Sequence, residues 1–129
     1  MKSFQAVFRS LLTLISFAAA GVSGADIVWT NVAGGNWTMA ANWSPNQTPG
    51  LEDHAIITNA GNYTVVANAT TLPRSFVLGG SAGTQTLELS SSATFLLAAA
   101  SVVESNGVLA LNGGNLGGDG ELTIRGRLN

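Results

Sequence analysis

The chain has 129 residues, a formal net charge of −2 and no cysteine; 46% of it is hydrophobic and only 9% is charged. That length suits one domain. Nucleic acid is excluded as a partner, because phosphate binding needs clustered Lys and Arg, and without Cys a secreted domain of this size rests on its core and backbone ladders.

Residues 1–25 read as a secretory signal peptide. Lys2 and Arg9 give a basic start, Leu11 to Ala20 an apolar middle, and Gly21-Val22-Ser23-Gly24-Ala25 a small-residue cleavage region. Cleavage after Ala25 is the first choice and after Gly24 the second. A membrane anchor is the weaker reading, since a spanning helix needs roughly 20 apolar residues and only about ten follow Arg9. No later stretch is long enough, so no transmembrane span is expected after cleavage. Losing Lys2 and Arg9 takes the net charge from −2 to −4 and leaves a mature chain without Lys.

Residues 26–61 form a Trp-rich N-terminal module holding Trp29, Trp37, Trp43 and the only His, His54. Ile27-Val28-Trp29-Thr30 reads as a strand, and Asn31 to Asn36 as a turn in which Gly34-Gly35 supplies positive φ. Asn36-Trp37 and Asn42-Trp43 repeat a dipeptide six residues apart. Ser44 to Gly50 is a loop, because Pro45 and Pro49 forbid regular helix. Asp53 to Thr58 is a strand with an apolar centre, and Asn59 to Asn62 the next turn.

Residues 62–129 are short apolar strokes separated by Gly, Asn and Ser. They are Tyr63–Val66, Ser75–Leu78, Thr86–Leu89, Thr94–Leu97, Val102-Val103, Val108–Leu111, Leu116 and Leu122–Ile124. Three strokes make a coil of about 20 to 22 residues, the size of a three-faced parallel β-helix turn. Ala93 to Val103 could form a short helix, but Thr94, Phe95, Val102 and Val103 favour strand. Leu87, Leu89, Leu109, Leu111, Leu122 and Ile124 are expected to point inward and stack along the axis. Asn106, Asn112 and Asn115 are either an inward ladder or ordinary turn residues. The expected fold is all-β: a right-handed parallel β-helix (β-solenoid) with a Trp-rich cap, preceded by a signal peptide and truncated at the C-terminus.

Candidate chemistry is sparse. With one His and no Cys, nucleophilic constellations have little to build on. Asp53 is expected to cap the turn after Pro49-Gly50 rather than orient His54. Glu52 and Asp53 are adjacent and point to opposite faces of a strand. Glu88, Glu104, Asp119 and Glu121 are scattered, where glycoside hydrolysis needs a facing pair. Asp119-Gly120-Glu121 only faintly follows the Gly/Asp-rich calcium repeats. No catalytic, cofactor-binding or metal residues are therefore expected, and no cofactor. Trp29, Trp37 and Trp43 could stack on sugar rings; plugging the open first coil is the preferred reading. Five sequons, at Asn36, Asn42, Asn46, Asn62 and Asn68, are glycan acceptors only in a eukaryotic secretory route.

Trp29, Trp37, Ala40, Asn42, Trp43, Ser44, Pro49, Gly50, Asp53, Ala55 and Ile57 fall on a recurrent pattern: a Trp, a Gly-rich turn, a second Trp, A-x-N-W-S, a Pro and G-x-x-D-x-A-x-I. In this the chain resembles the N-terminal module of bacterial secreted and autotransporter-type β-helix proteins, adhesin-like and built on autotransporter-associated β-strand repeats. The stretch from Gly107 to Gly126 is similar to the strand repeats that follow in them. The resemblance implies a surface or extracellular scaffold, often adhesive. The chain is shorter than such passengers and stops inside its repeat rhythm, which suggests a fragment. The expected function is a non-catalytic exported scaffold, secreted or on the outer cell surface, meeting extracellular polysaccharide or cell-surface components. The alternatives are the N-terminal part of a polysaccharide-active β-helix enzyme, and a Trp-based carbohydrate-binding module.

Overall fold

A computed structural model describes residues 24–129; apart from Gly24 and Ala25, the signal-peptide reading lies outside the described residues. The strands in chain order are β1 (Asp26–Trp29), β2 (Gly35–Asn36), β3 (Trp43–Ser44), β4 (His54–Ile57), β5 (Tyr63–Ala67), β6 (Ser75–Leu78), β7 (Gln85–Ser90), β8 (Thr94–Leu97), β9 (Ser101–Val103), β10 (Gly107–Asn112), β11 (Asn115–Gly118), β12 (Leu122–Ile124) and β13 (Arg127–Leu128). A single 3₁₀ turn, Ala40–Asn42, precedes β3.

Sheet A has the order β12-β9-β6-β4-β1-β3, sheet B the order β13-β10-β7-β5-β2, and sheet C pairs β11 with β8. Every pairing is parallel except β1 with β3. From β4 onward successive strands join different sheets, and the chain winds into a β-solenoid of about three turns. The segment Ala93 to Val103 is strand, as its β-branched residues predict: β8, a bend at Ala98–Ala100, then β9.

Coil length follows from register. Ala55 lies beside Phe76, Val65 beside Leu87, Leu87 beside Leu109 and Phe95 beside Leu116, steps of 21 or 22 residues. Val77 lies beside Val102, a longer step. The extra residues sit in Gly79–Thr84, the loop between β6 and β7, where the next coil has only Glu104–Asn106.

Alternation along each strand sends every second side chain into the bore. Three stacks run along it: Ile57–Leu78–Val103–Ile124, Val65–Leu87–Leu109–Leu128 and Ala67–Leu89–Leu111. All members are fully buried except the last of each: Ile124 is 38% exposed, Leu128 51% and Leu111 37%. Leu111 and Ile124 therefore keep the expected direction but not the expected burial, because no described residue stacks on their outer side. Leu122 is half-buried against the core. Each sealed Leu or Ile stabilises by roughly 1.5–3 kcal/mol.

Stacking at strand spacing, about 4.8 Å, leaves no room at some corners. Gly83 has φ +76°, and a Cβ there would lie 2.3 Å from the Gly61 carbonyl oxygen; at Gly118, with φ +107°, it would lie 2.1 Å from that of Leu97. Only glycine fits both demands. Asn112 and Asn115 are exposed and Asn106 half-buried, so no inward asparagine ladder forms. Instead Asn106 Nδ2 donates to the Gly80 carbonyl of the preceding coil, at 3.1 Å.

Candidate functional site

The first end of the bore is filled by the three Trp residues, each at most 1% exposed. Trp29 and Trp43 meet edge to face with centroids 5.0 Å apart, and Trp37 and Trp43 at 4.7 Å. Trp37 continues inward to Phe95 at 5.0 Å, and Phe95 to Phe76 at 5.8 Å. Such edge-to-face pairs add about 0.5–1.5 kcal/mol beyond their burial. The indole N–H groups are used locally: Trp43 Nε1 donates to the Trp37 carbonyl at 2.8 Å and Trp29 Nε1 to the Asn31 carbonyl at 2.6 Å.

Amides hold the plug in place. Buried Asn42 donates through Nδ2 to the Asn36 carbonyl at 3.0 Å and accepts at Oδ1 from Asn31 Nδ2 at 2.9 Å. Asn59 Nδ2 donates to the Trp29 carbonyl at 2.8 Å. The Asn42-Trp43 repeat is thus a structural unit, with the amide closing the turn and the ring closing the bore. The structure brings Trp29, Trp37 and Trp43 together and packs them edge to face in the closed end of the bore. No ring face is open for a sugar to stack upon.

Asp53 caps the turn after Pro49: its Oδ2 accepts from the Gly50 N–H at 2.9 Å and its Oδ1 from the Ala25 N–H at 3.0 Å. Neither oxygen is hydrogen-bonded to the His54 ring among the described residues. His54 Nδ1 meets Ser75 Oγ at 2.5 Å. Register also sets Asp26 beside His54, so Asp26, His54 and Ser75 share one row on the outer face of sheet A. Sequence spacing cannot reveal this row, since the three come from different coils. Ser75 is buried and no hydrogen bond joins Asp26 to His54, so the row lacks the linkage of a nucleophilic triad.

The acids are dispersed. Glu52 pairs with Arg74 and Glu104 with Arg125, both at 2.9 Å. Among the described residues no group of three or more His, Asp or Glu converges. Tyr63 is buried, which pushes its phenol above the usual 10.0, and its hydroxyl donates to the Asn59 carbonyl at 3.0 Å.

Two surface recesses of about 270 Å³ meet at Leu51 and Leu72, one bounded by Pro49 and Thr71, the other by Leu96 and Asp119. Thr71 Oγ1 is the one buried side-chain polar atom without a partner among the described residues. A third recess, of about 260 Å³, lies between Asn106, Arg125 and Arg127. All are open and shallow. Comparison with protein-family models, curated proteins and solved structures finds no match.

What sequence reading misses is the use of the polar side chains. Nine of their hydrogen bonds join residues 21 to 26 positions apart, one coil to the next. Gln85 is the most buried of these groups: Oε1 accepts from the Gly80 N–H at 2.6 Å, and Nε2 donates to the carbonyls of Gly61 at 2.6 Å and Ala82 at 3.0 Å. A glutamine at a strand start carries no composition signal of burial. Only a recurrence at coil length would have pointed to it.

Proposed function

We propose that the chain is a non-catalytic, exported β-helix scaffold of the adhesin-like kind, acting outside the cell or on its outer surface. The observation that carries this reading is the commitment of reactive side chains to stacking: Glu52, Arg74, His54, Ser75, Glu104 and Arg125 each bond to the adjacent coil. Side chains so tied stiffen a rod, and a rod serves presentation rather than turnover. The Trp-to-Ile57 pattern, which resembles the opening module of autotransporter-type β-helix proteins, supports the same reading. We take the coil to be right-handed, the hand that right-twisted parallel strands favour.

Export rests on residues 1–25. Ala25 already belongs to the first coil: its carbonyl accepts from the His54 N–H at 2.9 Å and its N–H reaches Asp53. Release after Gly24 keeps both bonds, and release after Ala25 loses them, so the coil favours the former.

The test is to express the whole chain, recover it outside the cytoplasm, weigh it intact, and present it to extracellular polysaccharides and to cell surfaces. The expected result is a processed chain that adheres without shortening any polysaccharide and without a change in Trp emission. Release of reducing ends by the pure protein would overturn the non-catalytic reading. Retention in the cytoplasm with residues 1–25 attached would overturn export. A Trp emission shift on sugar titration would favour the carbohydrate-binding alternative.

A further inference from the structure

Two of the three arginines among the described residues, Arg125 and Arg127, line one recess of about 260 Å³ together with Thr84, Ser105 and Asn106. The recess lies on the side of the stack, at the corner where the chain passes from sheet A to sheet B. Successive coils turn this corner with ever shorter links: Gly79–Thr84, then Glu104–Asn106, then Arg125-Gly126. A long corner beside two shorter ones leaves a step, and the recess sits in it. Gly126 lets the two shorter corners touch, since a Cβ there would lie 2.2 Å from the Gly107 carbonyl oxygen. Arg125 and Arg127 stand on either side of that contact.

The lining is rich in donors. Thr84, Ser105, Arg125 and Arg127 are exposed and Asn106 is half-buried. Arg125 Nη1 meets Glu104 Oε1 at 2.9 Å and keeps the rest of its donor fork; Arg127 makes no ion pair among the described residues. Glu104 thus offsets one of the two positive charges. The Gly107 N–H donates to the Glu104 carbonyl at 2.7 Å and closes a tight turn, in which the Ser105 and Asn106 N–H groups have no backbone acceptor among the described residues. Asn106 Nδ2 donates to the Gly80 carbonyl, which fixes the amide and leaves Oδ1 to accept. Arg74 lies elsewhere, paired with Glu52. A chain of seven acids therefore gathers positive charge here.

We propose that this recess binds the acid group of a polysaccharide. Arg125 and Arg127 hold the carboxylate or sulfate, while neighbouring sugar hydroxyls meet Thr84, Ser105 and Asn106 Oδ1. A guanidinium fork matches paired oxygens of either acid group. An open recess of this size takes one sugar residue of a long polymer and leaves the next ones outside. No aromatic ring lines it, so binding leaves Trp emission unchanged. Export is what brings the recess to such polymers, so the site rests on the exported-scaffold reading.

Isothermal titration calorimetry of the whole chain at low salt, with polygalacturonate, dextran sulfate and neutral dextran, tests this. The expected result is that an acidic polymer binds about tenfold or more tighter than dextran and loses affinity as salt rises. The tighter of the two acidic polymers names the acid group. Arg127→Gln breaks no ion pair and weakens binding of that polymer by about tenfold, and Arg125→Gln does the same. Arg74→Gln removes an equal charge away from the recess and leaves affinity within about twofold. Far-ultraviolet spectra confirm that each variant folds. Equal affinity for all three polymers overturns the proposal, as does acidic-polymer binding indifferent to Arg125→Gln and Arg127→Gln. Adhesion to cell surfaces without binding to either acidic polymer would strike the site and spare the scaffold. Release of reducing ends while the arginine dependence holds would do the reverse.

Discussion

Gln85 shows how one amide can hold a corner that apolar packing cannot. Its donor and acceptor ends reach three backbone groups in two successive turns, Gly80, Ala82 and Gly61. Gln85→Glu keeps the shape and puts an acceptor against two carbonyls. The expected loss is about 2–3 kcal/mol at neutral pH, read by urea unfolding. Repulsion raises the folded pKa of the new carboxyl above its unfolded value near 4.3. The loss is therefore greatest above that raised pKa and shrinks as pH falls toward about 4. Tyr63 gives the alkaline counterpart. Burial raises its folded pKa above 10.0, so the stability it carries is whole below pH 10 and is lost as pH rises through the folded value. Tyr63 is the only Tyr of the chain and Lys2 the only Lys, so Lys2 is the one other side chain that ionises near pH 10, and the proposed release of residues 1–25 would remove it. The expected outcome is that Tyr63→Phe flattens the fall in unfolding free energy with pH above 10.

At the scale of elements, the plug and the coils are one structure, because Trp37 touches both Trp43 in the cap and Phe95 in β8. Trp37→Ala opens a cavity where the two meet and should cost about 3–5 kcal/mol, measured by denaturant midpoint. A loss confined to the cap signals, with the coil strands unmoved, would show that the two fold separately. The coils are the part that sequence makes legible. Ser75–Leu78, Thr94–Leu97 and Leu122–Ile124 are strands with the predicted bounds, because each carries inward apolar alternation in short β-favouring runs. β2 was hidden inside what reads as the turn Asn31–Asn36: Gly35-Asn36 has no strand propensity and is extended only because Val65-Val66 offers it a partner. β3 is hidden likewise, since nothing in Trp43-Ser44 announces an antiparallel partner in β1. The Trp cluster could be read as a plug from its position before the first coil. The outer row Asp26–His54–Ser75 and the Gln85 network could not, because both are set by coil register.

The whole molecule behaves as a stack in which each coil is stabilised by its neighbours and little else. The middle coil, β6–β7–β8, is covered on both sides, by β4 and β5 beneath and by β9, β10 and β11 above. Its inward residues Phe76, Leu78, Leu87, Leu89 and Phe95 are all fully buried. One end of the stack carries the interlocked Trp cap; the other carries half-buried Leu122 and exposed Ile124 and Leu128. The free energy of local opening must therefore fall along the axis away from the middle coil, and fall furthest toward β12 and β13. Native-state hydrogen exchange is expected to find the slowest amides in β6 and β7 and the fastest strand amides in β12 and β13. The Trp cap holds the first end closer to the middle coil's protection. Leu87→Ala, in the centre, should raise exchange in every coil, because its stack runs through Val65, Leu109 and Leu128. Ile124→Ala should raise it only in the last coil. Equal protection from β4 to β13 would mean that the stack opens as a single unit, and the nearest-neighbour account of its stability would be wrong.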